Sequence, residues 1–209
     1  MIKLLGRQTS GNVQKVIFCL EELGIPYARE DYGRQFGNTL TDAYRKLNPN
    51  AKVPTLIDGD VVIWESHTIL RYLAAVHRPA LTGATPAERT MAERWMDWLL
   101  ASLNTPYVAV FKDAKKAPAE RAADFAAQSA DLVAQLKILD DHIAGRQWFA
   151  LDRFTVADMA LGPIVKRCLE FPIERPACSE LKRWQAAIDA RPAFSVAVGA
   201  KPSALTPAA

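Results

Sequence analysis

The chain has 209 residues, half of them hydrophobic and 23% charged, with a formal net charge of +3. That composition suits a globular chain with one large core or two modest ones. It argues against nucleic-acid binding, since the charge is mild and no long basic run supports it, and the apolar runs fall far short of the roughly 20 residues of a membrane span.

In chain order, "IKLLG" (Ile2 to Gly6) predicts a short strand. After the polar stretch "RQTSGN", Val13, Val16, Ile17, Leu20 and Leu23 recur at a helical period that stops at Gly24. "IPYARED" predicts a second strand, and "TDAYRKLNPN" a short helical or irregular piece ending at Asn48-Pro49. "VPTLI" and "VVIW" flank Asp58-Gly59, a strong hairpin signal. A helix from about Ser66 to His77 follows, carrying Ile69, Leu70, Tyr72 and Leu73. The first third is therefore βαβ, a connection, then ββα.

"RPALTGATP" is rich in Pro, Gly and Thr and predicts the boundary. It divides the chain into 1–78, a linker at 79–85, and 86–209. Beyond it every segment reads as helix. One opens at Pro86 and carries Trp95, Met96, Trp98, Leu99 and Leu103. Another begins near Pro118 with Phe125, Leu132, Leu136, Leu139 and Ile143 on one stripe, and Gly145 marks its end. "FTVADMALGPIVKRCLE" starts a third, and Ser179 opens a fourth that stops at Arg191-Pro192. The final "KPSALTPAA" reads as a loose tail. The predicted fold class is thus α/β plus all-α.

Two helix starts differ in what their residues suggest. Thr155 and Asp158 form an S/T-x-x-D capping box, with Phe154 and Met159 placed as a hydrophobic staple around it. Its threonine cap alone is worth about 1 kcal/mol, which makes it a folding device. Glu65 and Ser66 instead sit where a strand gives way directly to a helix, eleven residues beyond Pro54. On local grounds Ser66 caps that helix and Glu65 is a solvated first-turn acid.

Cys19, Cys168 and Cys178 show no CxxC pattern and no metal-ligand spacing, so neither a disulfide framework nor a metal site is expected. Cys19 reads as a small core residue. No sustained apolar stretch follows Lys3 in "MIKLLGRQTS", so no signal peptide is expected and the expected location is cytoplasmic. His67, His77 and His142 have no partner spacing and read as surface or capping residues.

Three pieces, "TSGNVQKVIFCLEELGIPY", "NPNAKVPTLIDGDVVIWESHTILRYLA" and "FTVADMALG", together resemble the cytosolic glutathione transferase superfamily over nearly the whole chain. The resemblance is to bacterial, serine-type theta-like or nu-like members. The middle piece is the specific one, with Val53-Pro54 before one strand and Glu65-Ser66 after the next. The resemblance implies a thioredoxin-like N-terminal domain, a helical-bundle domain carrying the electrophile site, and a homodimer. It implies glutathione as co-substrate, no metal, a small-molecule electrophile, and neither nucleic acid nor membrane as partner.

The same resemblance assigns roles. Ser66, with its hydroxyl, backbone N–H and helix dipole, suits the γ-glutamyl carboxylate, and Glu65 suits the ammonium. A cis bond before Pro54 would let Val53 pair its N–H and C=O with the cysteinyl part. Lys52 either reaches the glycyl carboxylate or is simply solvated. For the thiol, Ser10 falls where serine-type transferases carry their catalytic hydroxyl. Asn12 follows as a supporting or principal donor, and Thr9 is third; helix capping by Ser10 or Asn12 is the alternative. The electrophile is expected near Asn104, Tyr107 and Phe111. Trp95 and Trp98 are weaker candidates there, read more readily as core or dimer-interface residues. Relatives that work through their own thiol carry cysteine in the first loop, and here the nearest is Cys19, over two turns into the helix. The expected activity is glutathione transfer. A glutathione-dependent disulfide reductase or peroxidase, and a non-catalytic glutathione- or ligand-binding protein, are the alternatives.

Overall fold

The computed structural model describes residues 1–199; the expected loose tail, 201–209, lies outside them. The described chain divides into two compact units, one formed by Met1–Leu81 with the segment from Asp189 on, the other by Thr82–Ile188.

The first unit begins with β1 (Ile2–Leu5), α1 (Gly11–Leu23) and β2 (Tyr27–Glu30). It continues through α2 (Asp42–Leu47), β3 (Thr55–Asp58), β4 (Val61–Trp64) and α3 (Ser66–His77). The four strands order as β2-β1-β3-β4. β1 runs parallel to β2, with Ile2 opposite Tyr27, and antiparallel to β3, with Leu4 opposite Leu56. A sheet this small needs helices to cover it. α1 contributes Val13, Val16, Ile17 and Leu20, and α3 contributes Ile69, Leu70 and Leu73, all 0–2% exposed. Each such side chain is worth about 1.5–3 kcal/mol on burial. α1 stops at Gly24, whose φ of 65° is left-handed and whose N–H bonds back to Leu20 and Glu21. Thr41 caps α2 by accepting from the Tyr44 N–H.

Chain order leaves the last segment with the helical bundle, yet α9 (Pro192–Val198) packs on α1. Phe194 meets Phe18 edge-on at 5.1 Å, and Arg191 Nη2 donates to Glu22 Oε2 at 2.8 Å. Gln8 Nε2 donates to the Val196 carbonyl at 2.8 Å. The Arg191-Pro192 step ends one helix but also starts this one, since proline is at home in a first helical turn.

The second unit holds α4 (Pro86–Trp98), α5 (Asn104–Asp113), α6 (Phe125–Ile143), α7 (Val156–Glu170) and α8 (Ser179–Asp189). The helix expected to run unbroken from Pro86 to Leu103 passes into a π-helical segment at Leu99–Leu103, and α5 continues from it. The helix expected near Pro118 starts at Phe125 instead. Pro118–Glu120 is a 3-10 turn, and local bonds occupy its surroundings: Ala122 N–H to Asp113 Oδ2 at 2.8 Å, and Arg121 Nε to the Lys116 carbonyl at 3.2 Å.

α7 is buried almost throughout its first ten residues. Its start is the expected capping box. Asp158 Oδ2 accepts from Thr155 N–H and Oγ1, while Oδ1 accepts from Phe149 N–H and Trp184 Nε1, all at 3.0–3.1 Å. Burial pushes the Asp158 carboxyl up to about 6, against the pull of those donors. Phe154, expected in a staple with Met159, makes an edge-to-face contact with Trp148 at 5.2 Å. Trp95 lies against Trp98, His142 and Phe149 with ring centroids 4.4–5.5 Å away, in the aromatic core of this unit.

Candidate active site

The loop between β1 and α1 places Arg7 and Ser10, and the first turn of α1 places Asn12, at the carboxyl end of a sheet strand, beside the start of a helix. Both are places where α/β folds receive anionic ligands. A cleft of about 290 Å³ is lined there by these three residues, by Gly33, Arg34 and Thr39, and by Ala51, Lys52 and Val53. Arg7, Arg34 and Lys52 are cationic, and no acid is among those lining residues. The site therefore favours an anion.

The backbone is shaped to this cleft. A side chain at Gly33, whose φ is 84°, would meet Arg7 Nη1 at 2.8 Å and Val53 at 3.4 Å. A side chain at Gly6 would strike Val13 Cγ2 at 2.5 Å, so β1 and α1 approach closely only because glycine stands there. The Val53-Pro54 bond is cis. Tyr44 Oη and Asn48 Nδ2 donate to the Lys52 carbonyl at 2.6 and 2.8 Å, and both side chains also reach Thr55 Oγ1. The segment before Pro54 is thus held from behind.

Ser10 occupies the N-cap position of α1 with extended backbone, but its side chain makes no capping hydrogen bond. It is 9% exposed. The capping alternative therefore does not describe this hydroxyl. Asn12 is exposed in the first turn, and its Oδ1 accepts from Ser66 Oγ at 3.4 Å. That contact joins the "TSGN" loop to the Glu65-Ser66 seam.

Glu65 is the N-cap of α3 with φ 67° and ψ 116°, and its carboxylate makes no cap bond either. A non-glycine residue in this region carries a strain of about 1–3 kcal/mol and tends to mark functional sites. Ser66 is buried, Glu65 exposed. Neither lines the cleft itself, nor do Thr9 and Pro54; Thr9 is exposed and Pro54 buried.

Sequence inspection missed Arg7, Gly33, Arg34, Thr39 and Ala51. Gly6-Arg7 directly after the first strand was the available signal, because strand ends are where such folds bind ligands. Arg34 and Ala51 have φ of 45° and 53°, a feature of tertiary placement with no local motif behind it. His67 departs from the expected surface role: it is 2% exposed, where α3 packs on α1. His142 is also drawn inward, with Nε2 2.8 Å from the Phe149 carbonyl.

In the second unit, Tyr107, Phe111 and Phe171 form an aromatic cluster with centroids 5.9–6.4 Å apart. A pocket of about 350 Å³ beside it is lined by Phe111, Arg167, Glu170, Phe171 and their neighbours. The Arg167 guanidinium lies 5.6 Å from the Phe111 ring centre and donates to Tyr107 Oη at 3.4 Å. Asn104 is the first residue of α5 and is not among the lining residues.

All three cysteines are buried. Burial pushes the Cys19 thiol up to about 12 and raises Cys168 and Cys178 as well, so none is poised as a thiolate. Among the described residues no cluster of three or more His, Cys, Asp or Glu could hold a metal ion. No described helix is long and apolar enough to cross a membrane.

Comparison with known proteins identifies the family. Residues 9–76 match the family described as glutathione S-transferase, N-terminal domain, and residues 95–192 match glutathione S-transferase, C-terminal domain. Glutathione S-transferase GstB of Escherichia coli is 36% identical over 92% of this chain and 95% of its own. A theta class glutathione S-transferase from Xanthomonas axonopodis pv. citri, solved with glutathione bound, superposes with a TM-score of 0.90. It is 39% identical and matches over 97% of this chain and 99% of its own. A glutathione transferase from Pseudomonas putida, solved with glutathione disulfide bound, gives a TM-score of 0.85 at 25% identity, over 94% and 90% of the two chains. The thioredoxin-like first unit, the helical second unit and these matches together make the chain a member of the cytosolic glutathione transferase superfamily.

Proposed function

We propose that this protein binds glutathione in the first unit and stabilises its thiolate for attack on a small hydrophobic electrophile. The observation that carries the reading is the Ser10 hydroxyl, which lines a cationic cleft at a helix start and is not engaged in capping that helix.

A free thiol has a pKa of about 8.5, so only a few per cent is ionised at neutral pH. Lowering it by two units takes about 2.7 kcal/mol. A hydrogen bond from Ser10 to the charged sulfur supplies about 1.5–3 kcal/mol. The N-terminus of α1 adds about 0.3–1 kcal/mol. Asn12 is placed to orient Ser66 and to present its own amide to the sulfur; Thr9 is the reserve donor. The cysteinyl backbone pairs with Val53 at Pro54, and the γ-glutamyl carboxylate and ammonium go to Ser66 and Glu65. The glycyl carboxylate goes to Lys52, with Arg7 and Arg34 supplying further positive charge. Once formed, the thiolate attacks the electrophilic carbon, a carbon–sulfur bond forms, and the leaving group departs with the electron pair.

The electrophile is assigned to the Tyr107–Phe111 region, with Asn104 at its edge, so residues 1–78 handle glutathione and the helical unit after 79–85 handles the second substrate. A cytoplasmic homodimer engaged in detoxification fits this reading. The second reading, a glutathione-dependent disulfide reductase or peroxidase, is favoured by Asn12 in the cleft and by the glutathione disulfide in the Pseudomonas putida relative. The third, a non-catalytic glutathione- or ligand-binding protein, expects binding without a lowered thiol pKa.

Ultraviolet titration of enzyme-bound glutathione tests all three. The transferase reading expects a bound-thiol pKa below about 7 that returns toward the free value in Ser10→Ala. A response to Asn12→Ala alone, with disulfide or hydroperoxide turnover exceeding that of an aryl halide, supports the second reading. An unshifted thiol in tightly bound glutathione supports the third.

A further inference from the structure

Three polar side chains are buried together behind the cleft: Tyr44 and Asn48 are 2% exposed and Thr55 is 0% exposed. None of them lines it. Tyr44 lies on α2 and Asn48 is the C-cap of that helix, so the two stand one turn apart on one face. Their donors converge on a single acceptor, the Lys52 carbonyl, at 2.6 and 2.8 Å.

The proton positions follow from the partners. A carbonyl only accepts, so the one hydroxyl proton of Tyr44 goes to Lys52. Tyr44 Oη is then the acceptor in its 2.9 Å contact with Thr55 Oγ1, and the threonine donates. Thr55 Oγ1 accepts in turn from Asn48 Nδ2 at 3.1 Å, and Asn48 Oδ1 accepts from the Asn50 N–H at 3.0 Å. Every hydrogen that the three side chains can donate is used. Such a set adds only modest net stability, because each bond replaces one to water. What it fixes is direction.

Direction matters for the adjoining N–H. The Lys52 carbonyl has two lone pairs, and Tyr44 and Asn48 occupy both. The Lys52–Val53 peptide is trans and planar, so the Val53 N–H points opposite to that carbonyl, away from the buried trio. Among the described residues this N–H has no hydrogen-bond partner. Lys52 and Val53 both line the cleft. The trio thus turns an unpaired backbone donor toward the side where a ligand would lie.

We infer that Tyr44, Asn48 and Thr55 are positioning residues: by holding the Lys52 carbonyl from behind, they aim the Val53 N–H at the cleft to receive a ligand carbonyl. In the glutathione reading, on which this rests, that is the carbonyl of the cysteinyl residue.

The test is calorimetric binding of glutathione and two shorter thiols, γ-glutamylcysteinamide, which keeps the cysteinyl carbonyl, and γ-glutamylcysteamine, which lacks it. Neither shorter thiol carries the glycyl carboxylate, so a Lys52 side-chain contact does not enter the comparison. Wild type should prefer the carbonyl-bearing thiol about tenfold, as one hydrogen bond provides. Tyr44→Phe combined with Asn48→Ala should cut that preference to less than about twofold. Thr55→Val should cut it to about threefold, and Thr55→Ser, which keeps the hydroxyl, should restore it. The two Thr55 variants decide the matter if the double variant does not fold. An unchanged preference in the variants, whether both thiols weaken equally or neither does, would reduce the trio to a support of the fold and overturn the inference. So would a wild type that binds glutathione yet treats the two shorter thiols alike. Wild type that binds none of the three would overturn the glutathione reading itself, an outcome distinct from the others.

Discussion

The starts of α1 and α7 use similar chemistry for opposite ends. Each has a hydroxyl residue in extended conformation at its N-cap, Ser10 in one and Thr155 in the other. At α7 the polar atoms are taken up locally: Thr155 Oγ1 accepts from the Ala157 N–H at 3.3 Å, and Asp158 collects four hydrogen bonds without any exposure. At α1 the Ser10 side chain makes no cap bond, and the neighbouring start of α3 repeats the pattern with Glu65. A helix N-terminus leaves four N–H groups without internal partners. Where side chains satisfy them, the terminus is a folding device. Where they do not, the donors and the dipole remain for a ligand.

The largest effect is expected at Asp158. Asp158→Ala leaves buried donors on Phe149, Thr155 and Trp184 unpaired, at about 1–3 kcal/mol each, so a loss of several kcal/mol is expected. For a chain of this size each kcal/mol lowers the Tm by about 2–4 °C, and thermal unfolding should show a drop of at least about 6 °C. A preserved Tm would break the contrast with α1.

The pH dependence of stability is the next largest. The Asp158 carboxyl rises from 3.8 to about 6 in the folded protein. Between those values the folded state binds more protons than the unfolded state, so stability from this group is present below about pH 4 and declines as pH rises toward 6. A two-unit difference corresponds to about 2.7 kcal/mol. Urea denaturation from pH 4 to 7 should show that decline, flattened in Asp158→Asn.

A direct comparison of the two caps is smaller but sharper. Thr155→Ala should lower stability by about 1 kcal/mol and leave activity per folded molecule unchanged. Ser10→Ala should change stability by less than about 0.5 kcal/mol, as expected where no structural bond is lost. It should instead reduce turnover with an aryl halide. If Ser10→Ala proved as destabilising as Thr155→Ala, Ser10 would be a cap after all.

The smallest expected change is at Glu65. Glycine adopts φ 67° without penalty, so Glu65→Gly should leave stability unchanged or raise it by up to about 1 kcal/mol while weakening glutathione binding. Destabilisation would show that the glutamate's conformation serves the fold rather than a ligand.

Much of this was legible in the residues themselves. Periodicity marked α1 and α3, Asp58-Gly59 marked the β3–β4 hairpin, and the Thr155–Asp158 spacing marked its own capping box, because each depends on neighbours within a few positions. The Pro86 segment also showed local order, but its passage into a π-helical stretch at Leu99–Leu103 did not show, since no local residue requires it. α9 was hidden because Phe194 and Arg191 have partners, Phe18 and Glu22, that stand over 160 positions away.

The site divides along the same line. Sequence by itself determined which residues carry suitable chemistry: hydroxyl and amide groups in "TSGN", a proline at a strand start, and Glu-Ser at a helix start. Only the tertiary structure decided that Arg7, Arg34 and Lys52 share one cleft, that the Ser10 hydroxyl is left uncapped, and that Lys15 meets His67 across 52 positions. The reason is physical. Capping and turn formation are contests among atoms a few residues apart, whereas charge clustering and burial depend on which distant segments the packed core brings together.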